Sequence, residues 1–166
     1  MLAKFLTDDS LNDIILKGTD GVEVPANRFL LSARSDVFHS MLLGKFQEAS
    51  LPIVELGFSG SVLMAVVEYA LTDNVQTLNS KKSKEFEVAT EQLDLVVPLT
   101  EAAPYFNLAG LGELVLEYLE TTIEKEPGMS FALLQICKLT GNSVPVVLSD
   151  KAKKWVRTTP AEAVSA

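Results

Sequence analysis

The stretch VPANRFLLSARSDVFHSML, residues 24–42, decides the fold of this 166-residue chain. It leaves a short β-rich run at Pro25 and continues with apolar residues at helical spacing. These residues form two stripes: Phe29, Leu30 and Ala33, followed by Val37, Phe38, Met41 and Leu42. Ser35 and Asp36 lie between the stripes, where a serine can cap the second helix, and Gly44 is placed to end it. The stretch therefore predicts two short consecutive helices.

A β-hairpin is predicted immediately before this stretch. The runs DIILKG (residues 13–18) and VEV (residues 22–24) flank Asp20-Gly21, and glycine tolerates the positive φ of a tight hairpin turn. The unbroken apolar run of residues 14–16 indicates a strand covered on both faces. Residues 52–56, PIVEL, predict a third short strand with proline at its permitted first position.

The rest of the chain is predicted to be mainly helical. Apolar residues at helical spacing indicate helices after Gly60, from about Glu91, over residues 108–125, and in two pieces after Gly128. Strands placed early and helices placed late predict an α+β fold, in which the helices pack on a small sheet.

The region between the third strand and the last helices is less regular. Residues 72–78 favour a short strand, and the polar residues 79–85 favour a solvated loop. Pro98 predicts either a kink in the helix around it or the effective start of that helix, and Pro104 is expected to strain or end the last turn of the helix.

Composition and charge exclude several classes of function. The chain has 48% hydrophobic and 22% charged residues, which is typical of one globular domain. Its 14 Lys and Arg against 22 Asp and Glu give a net charge of −8, which argues against a nucleic-acid or anionic-membrane surface. No apolar run approaches the ~20 residues that span a bilayer, and the N-terminus lacks the apolar centre of a signal peptide. We therefore expect a soluble, intracellular protein in the cytoplasm, the nucleus or both.

Catalytic, cofactor and metal sites are not expected. The single cysteine, Cys137, can form neither an internal disulfide nor a zinc site. The single histidine, His39, removes the usual catalytic triads and multi-histidine metal sites, and a surface or half-buried structural role is expected for it. Because no phosphate-binding glycine motif and no distinct acid–base pair occur, the sequence does not indicate an enzyme.

Several motifs in succession resemble a BTB/POZ domain. Asp13 before a hydrophobic strand, followed by residues 24–42, is similar to the family's opening pattern, Ala-His-Arg/Lys-x-x-Leu-x-Ala-x-Ser-x-x-Phe-x-x-Met. Residues 67–72 resemble its Tyr-x-Tyr-Thr segment, and residues 95–111 resemble the helix pair that follows. The resemblance implies a BTB/POZ fold, with a small, mostly antiparallel sheet flanked by α-helices.

The chain departs from the family pattern in three places. Asn27 stands where the family usually has histidine, and we expect it to keep a side-chain hydrogen bond. Ala70 replaces a common aromatic residue, and residues 79–90 resemble an insertion.

The resemblance also implies two domains and a mode of oligomerisation. Residues 1–125 would form the BTB/POZ domain, and residues 126–166 resemble the start of a BACK-type helical extension. Because only twelve residues precede the first motif, a strand-swapped dimer is not expected. A homodimer or a heterodimer with another BTB domain would instead pack through an N-terminal helix that carries Leu2, Phe5 and Leu6.

Two sets of residues match functional positions of the family. Phe46-Gln47-Glu48 is similar to the hydrophobic-x-Glu element by which BTB adaptors bind cullin-3, with further contacts implied for Tyr105 and Phe106. The alternative is that Phe46 folds back onto the core and Glu48 is merely solvated. A second match is a charged pocket built from one acidic and one basic residue, Asp13 and Arg28. It is interpreted as a partly buried ion pair, or as part of a corepressor groove.

The resemblance therefore favours a protein-interaction module, specifically a substrate adaptor for a cullin-3 ubiquitin ligase. The main alternative is an oligomerising BTB scaffold or transcriptional-regulator module without a ubiquitin role. A cullin linker of the Skp type is a third hypothesis, which the hairpin and the pattern of residues 26–35 disfavour.

Overall fold

The structure is a computed structural model that describes residues 11–79 and 86–125. The strands are β1 (Ile14–Lys17), β2 (Glu23–Ala26) and β3 (Ile53–Glu55). The α-helices are α1 (Arg28–Arg34), α2 (Asp36–Leu43), α3 (Gly60–Thr72), α4 (Gln76–Asn79), α5 (Phe86–Tyr105) and α6 (Ala109–Lys125), and one 3-10 helix spans Gln47–Ser50. Helices packed on a small sheet confirm the predicted α+β class.

Some predictions concern residues outside the described part of the chain. These are the N-terminal helix with Leu2, Phe5 and Leu6, the loop of residues 80–85, and the BACK-like extension of residues 126–166. The dimer helix and the domain boundary therefore stay predictions.

The three strands form one sheet in the order β2-β1-β3. β1 pairs antiparallel with β2, which places Leu16 opposite Val24, and parallel with β3, which places Leu16 opposite Val54. The sheet is thus mixed rather than mostly antiparallel, because the chain passes through α1 and α2 before it returns as β3. The prediction that β1 is covered on both faces is wrong: Ile15 is only half-buried, so the strand is fully covered on one face only. Pro25 is exposed on the edge strand β2, where its missing N–H interrupts no ladder.

The predicted hairpin is confirmed, and its turn also binds α3. The Gly18 N–H donates to the Val22 carbonyl at 2.9 Å, and the Gly21 N–H donates to the Gly18 carbonyl at 3.0 Å. Gly21 has a φ of 78°, a left-handed conformation that favours glycine. The Asp20 carboxylate accepts the Val22 N–H at 3.2 Å and the Gly60 N–H at 3.0 Å, so it joins the turn to the start of α3.

α1 and α2 confirm the predicted pair of helices, and each begins at a polar cap. Asn27 accepts the Leu30 N–H at 3.0 Å and donates to the Leu11 carbonyl at 2.7 Å, so it does keep a side-chain hydrogen bond. Ser35 accepts the Phe38 N–H at 3.1 Å, as its position predicted. Such caps satisfy N–H groups that the first turn of a helix leaves without partners.

The apolar stripe predicted for α1 is only partly correct, because of its three residues only Leu30 packs against the core, where it is half-buried. Phe29 is 70% exposed and Ala33 is exposed as well, whereas the buried residues of α1 are Leu31 and Ser32. α1 has only seven residues. Its orientation is therefore set by the contacts at its two ends, and not by the position of its most apolar side. The stripe predicted for α2 does face the core.

The chain between α3 and α6 differs from its prediction in two ways. The short helix α4 replaces the predicted strand, because Val75 and Leu78 are both buried and their spacing of three suits a helical turn. α5 begins at Phe86 rather than near Glu91, and it continues through Pro98 to Tyr105.

The core lies between the sheet and the long helices, as the helical spacing of α3, α5 and α6 predicted. The largest fully buried side chains are Phe38, Phe106, Leu16, Leu31, Leu42, Leu63, Leu99, Leu111 and Leu119. The two aromatic members come from α2 and from the turn after α5 and stack on each other, so the core extends to one end of the candidate site described next.

Candidate protein-binding site

Residues 44–51, called here the 44–51 segment, present an aromatic side chain to solvent. α2 ends with Gly44 as its C-cap residue, and the 3-10 helix Gln47–Ser50 follows shortly after. Phe46 precedes this helix, its carbonyl accepts the Ala49 N–H at 3.2 Å, and its side chain is 63% exposed. Phe46 therefore does not fold back onto the core.

The neighbours of Phe46 make the segment partly apolar and partly acidic. Leu43 and Leu51, at its two ends, are exposed. Glu48 is half-buried, and its backbone carbonyl accepts the Leu51 N–H at 3.2 Å. Exposed apolar side chains bordered by polar ones are typical of surfaces that bind other proteins.

Arg28 contacts backbone carbonyls in the second half of the segment and one in the last turn of α2. Its guanidinium donates from Nη1 to the Ala49 carbonyl at 3.0 Å, and from Nη2 to the Leu51 carbonyl. Nη1 also lies 3.4 Å from the carbonyl oxygens of Leu42 and Glu48, which is long for a hydrogen bond. The guanidinium thus joins the first residue of α1 to the residues on both sides of Phe46.

The predicted ion pair between Asp13 and Arg28 is absent from the described structure. The Asp13 carboxylate instead accepts the backbone N–H of Arg28 at 2.8 Å, at the start of α1. The guanidinium is turned toward the carbonyls of the 44–51 segment. The two residues are in contact as predicted, but through a helix terminus and not through opposite side-chain charges.

The turn after α5, residues 105–108, carries a second exposed aromatic side chain. Tyr105 is 52% exposed, whereas Phe106 is fully buried. The Phe106 ring stacks on Phe38 with centroids 4.5 Å apart and contacts Phe58 at 5.5 Å. The Ser35 hydroxyl donates to the Phe106 carbonyl at 2.6 Å. The Phe106 ring therefore belongs to the core, and of the two residues of this turn for which a cullin contact was predicted, only Tyr105 exposes its side chain; the contact itself stays a prediction.

The backbone of this turn is a Schellman motif. The Leu108 N–H donates to the Ala103 carbonyl at 2.8 Å, and the Asn107 N–H donates to the Pro104 carbonyl at 3.1 Å. Asn107 has a φ of 53°, and asparagine is one of the few non-glycine residues that adopt this conformation readily. This closed helix end fixes the position of Tyr105.

The two exposed aromatic side chains lie at opposite ends of α2. Ser35 and Phe38, at the N-terminal end, hold the turn of residues 105–108. The C-terminal end leads directly into the 44–51 segment. An eight-residue helix is ~12 Å long, so both features fall within the width of one protein interface.

The single histidine and the single cysteine were also singled out from the sequence. His39 is exposed on α2, as expected, and Cys137 lies outside the described residues. Among residues 11–79 and 86–125, no group of His, Cys, Asp or Glu side chains could hold a metal ion. No helix within these ranges is long and apolar enough to cross a membrane.

Fold and site together define a protein-interaction domain whose exposed aromatic residues lie on structurally fixed turns. Residues 2–122 match the BTB/POZ domain family, and the chain belongs to this family. BTB domains are protein–protein interaction modules that mediate partnerships and oligomerisation.

Two curated relatives contain a similar domain. The human "Inhibitor of Bruton tyrosine kinase" is 30% identical over 120 residues, which are 65% of this chain and 9% of that protein. The Danio rerio "Kelch-like protein 38" is 28% identical over 123 residues, which are 74% of this chain and 18% of that protein. The chain thus spans less than a fifth of the length of either relative.

One similar solved structure is the BTB domain of human Gigaxonin. It matches with a TM-score of 0.43 and 20% identity, over 70% of this chain and 83% of that one.

Proposed function

We propose that this chain is an adaptor that links a target protein to a cullin-3 ubiquitin ligase. The observation that carries the proposal is the exposed Phe46 on the 44–51 segment, two residues before Glu48, within a BTB domain. The chain itself would catalyse no reaction, because ubiquitin transfer belongs to the ligase. It would act in the cytoplasm, the nucleus or both.

The chemistry of the segment suits a contact of this kind. An exposed phenylalanine can fill an apolar pocket on a partner and act as a hot spot. A carboxylate two residues away can accept a charge-assisted hydrogen bond that fixes the register of the contact. Tyr105, at the other end of α2, offers a second aromatic contact with a polar tip.

The test is calorimetric titration of the full chain with the N-terminal domain of cullin-3. We expect a Kd of ~1 µM or tighter, equivalent to about −8 kcal/mol. Phe46→Ala should weaken binding by ~2 kcal/mol or more, as expected for a hot spot, and Glu48→Lys should abolish it through charge reversal. Met64→Ala is the matched control, because Met64 is also a large, half-exposed apolar side chain but lies on α3.

Two results would contradict the proposal. One is no binding by a chain whose circular dichroism and thermal unfolding show that it is folded. The other is equal loss of binding in Phe46→Ala and Met64→Ala, which would place the contact elsewhere.

A second candidate function is an oligomerising scaffold without a ubiquitin role. The observation that favours it is Phe29, which is 70% exposed on α1. Burial of such a side chain against a second copy would contribute ~1.5–3 kcal/mol. Sedimentation equilibrium of the full chain and of Phe29→Asp tests it: a dimer that the substitution converts to a monomer supports the scaffold, and a monomeric wild type excludes homodimerisation through α1.

A further inference from the structure

The 44–51 segment lacks the apolar packing that usually fixes a loop. Among the side chains described between residues 43 and 51, none is buried; Glu48 and Ala49 are half-buried, and the others are exposed. Its internal hydrogen bonds, from the Ala49 N–H to the Phe46 carbonyl and from the Leu51 N–H to the Glu48 carbonyl, are both 3.2 Å long. They shape the 3-10 helix but do not join it to the body of the domain.

The Arg28 guanidinium supplies that connection. The bonds to Ala49 and Leu51 reach two carbonyls on the far side of Phe46, and the longer contact to Leu42 reaches the last turn of α2. Arg28 itself is held at the start of α1, because its N–H is bound by the Asp13 carboxylate at 2.8 Å. A path of hydrogen bonds therefore runs from the residue before β1, through Arg28, to the C-terminal part of the segment.

We propose that Arg28 is a positioning residue for the protein-binding surface: its guanidinium holds the 44–51 segment in the conformation that presents Phe46 and Glu48. The identity of the partner rests on the proposed cullin-3 function, but the positioning of the segment does not. Arg28 touches no partner in this scheme and acts through the backbone that it binds.

Two bonds from separate nitrogens to separate carbonyls favour arginine over lysine for this role in this chain. A guanidinium is a planar fork with donors on separate nitrogens, so it can bond two carbonyls from fixed directions at once. A lysine ammonium is one point on a flexible chain and cannot span the same acceptors. Arg28→Lys therefore removes the positioning while it keeps the charge and most of the side-chain bulk.

Arg34 provides the matched control on the same helix. It lies in the last turn of α1 and pairs with the exposed carboxylate of Asp73, away from the 44–51 segment. Arg34→Lys makes the same chemical change at a site that makes no described contact with the 44–51 segment.

The first experiment is hydrogen–deuterium exchange of the full chain without any partner. In Arg28→Lys the amides of Ala49 and Leu51 should exchange about ten-fold faster or more, as expected when a charge-assisted hydrogen bond is lost from a locally opening segment. Peptides from α3 and α6 should keep their wild-type rates, and Arg34→Lys should change none of these. Wild-type exchange of the segment in Arg28→Lys would overturn the proposal, and so would uniform acceleration across the chain.

The second experiment is a double-mutant cycle for binding to the cullin-3 N-terminal domain, with Phe46→Leu chosen because it keeps an apolar side chain and measurable binding. Arg28→Lys should raise the Kd about ten-fold in the wild-type background and less than about three-fold in the Phe46→Leu background, because the two residues act through one surface. Equal effects in both backgrounds would show that Arg28 does not act through Phe46. If the wild type does not bind cullin-3, the proposed function fails, and the exchange experiment still decides whether Arg28 positions the segment.

Discussion

Two exposed aromatic side chains, Phe46 and Tyr105, lie at opposite ends of α2 and are held by opposite kinds of interaction. Phe46 belongs to a segment without a described buried side chain, which the Arg28 guanidinium holds by its carbonyls. Tyr105 precedes Phe106, which is fully buried and stacks on Phe38. The first site is held mainly by hydrogen bonds, and the second is held mainly by the core.

This difference determines how each site can fail. Apolar packing of a core residue contributes to the stability of the whole domain, so the turn of residues 105–108 opens only when the core loosens. A segment held by a few hydrogen bonds can open locally while the rest stays folded. Substitutions at the turn should therefore appear in the free energy of unfolding, and substitutions around the 44–51 segment should appear in binding and local exchange.

The largest expected effect comes from Phe106→Ala. The ring is fully buried and contacts three other aromatic rings, so its removal leaves a cavity and should lower the free energy of unfolding by ~3–5 kcal/mol. Tyr105→Ala, at the adjacent exposed residue, is the control. Urea unfolding monitored by circular dichroism gives both values.

The Phe106 prediction has a clear contrary result. A cost for Tyr105→Ala as large as that for Phe106→Ala would mean that the turn is held as much by its outer ring as by its inner one. Burial of Phe106 alone would then not explain why the turn is held differently from the 44–51 segment.

An intermediate effect is expected from Ser35→Ala. The hydroxyl caps α2 by accepting the Phe38 N–H, and it donates to the Phe106 carbonyl at 2.6 Å. Since this residue is buried, its loss leaves two backbone groups without partners and should cost ~1–3 kcal/mol of unfolding free energy.

Ser40→Ala is the matched control for this change, because Ser40 is an exposed serine on the same helix. Its unfolding curve should overlay that of the wild type. Should Ser35→Ala do the same, the polar link between α2 and the turn would contribute nothing, and packing alone would hold residue 106.

Most of the fold could be predicted because its signals are local. An Asp-Gly turn between β-rich runs marked the hairpin, and Ser35 and Gly44 marked the two ends of α2. The apolar period marked α3 and α6.

Prediction failed where orientation depends on distant contacts. Phe29 belongs to the most apolar side of α1, yet it faces solvent because the ends of that seven-residue helix are fixed by other parts of the chain.

The site was predictable only in part, for physical reasons. The motif at Phe46 and Glu48 could be found from residue types, but exposure of the ring depends on how the chain leaves α2. The role of Arg28 has no sequence signal, because its acceptors are backbone carbonyls that every residue has. Tyr105 and Phe106 are adjacent on a helix and project ~100° apart, so one of them faces the core, and residue type alone does not decide which.

The smallest expected effect comes from Lys17→Met, which tests whether an exposed charge pair contributes to the free energy of unfolding. Lys17 Nζ lies 2.8 Å from Glu55 Oε1, across β1 and β3. A hydrogen bond and charge attraction raise the pKa of Lys17 and lower the pKa of Glu55. Because its pKa is lowered by folding, Glu55 contributes to the free energy of unfolding above its unfolded-state pKa, and this contribution disappears as pH falls through its folded-state pKa. Because its pKa is raised by folding, Lys17 contributes below its unfolded-state pKa, and this contribution disappears as pH rises through its folded-state pKa.

Both groups are in contact with solvent, which screens the pair, so we expect Lys17→Met and the wild type to share one urea midpoint at pH 7 in low and high salt. The guanidinium of Arg28 carries the same charge, but two of its donors are bound to backbone carbonyls of the 44–51 segment. If Lys17→Met shifted the urea midpoint as much as Ser35→Ala does, an exposed charge pair would by itself make a large contribution to the free energy of unfolding. Overlaid curves would mean that a solvent-exposed ion pair contributes nothing measurable to the stability of this domain.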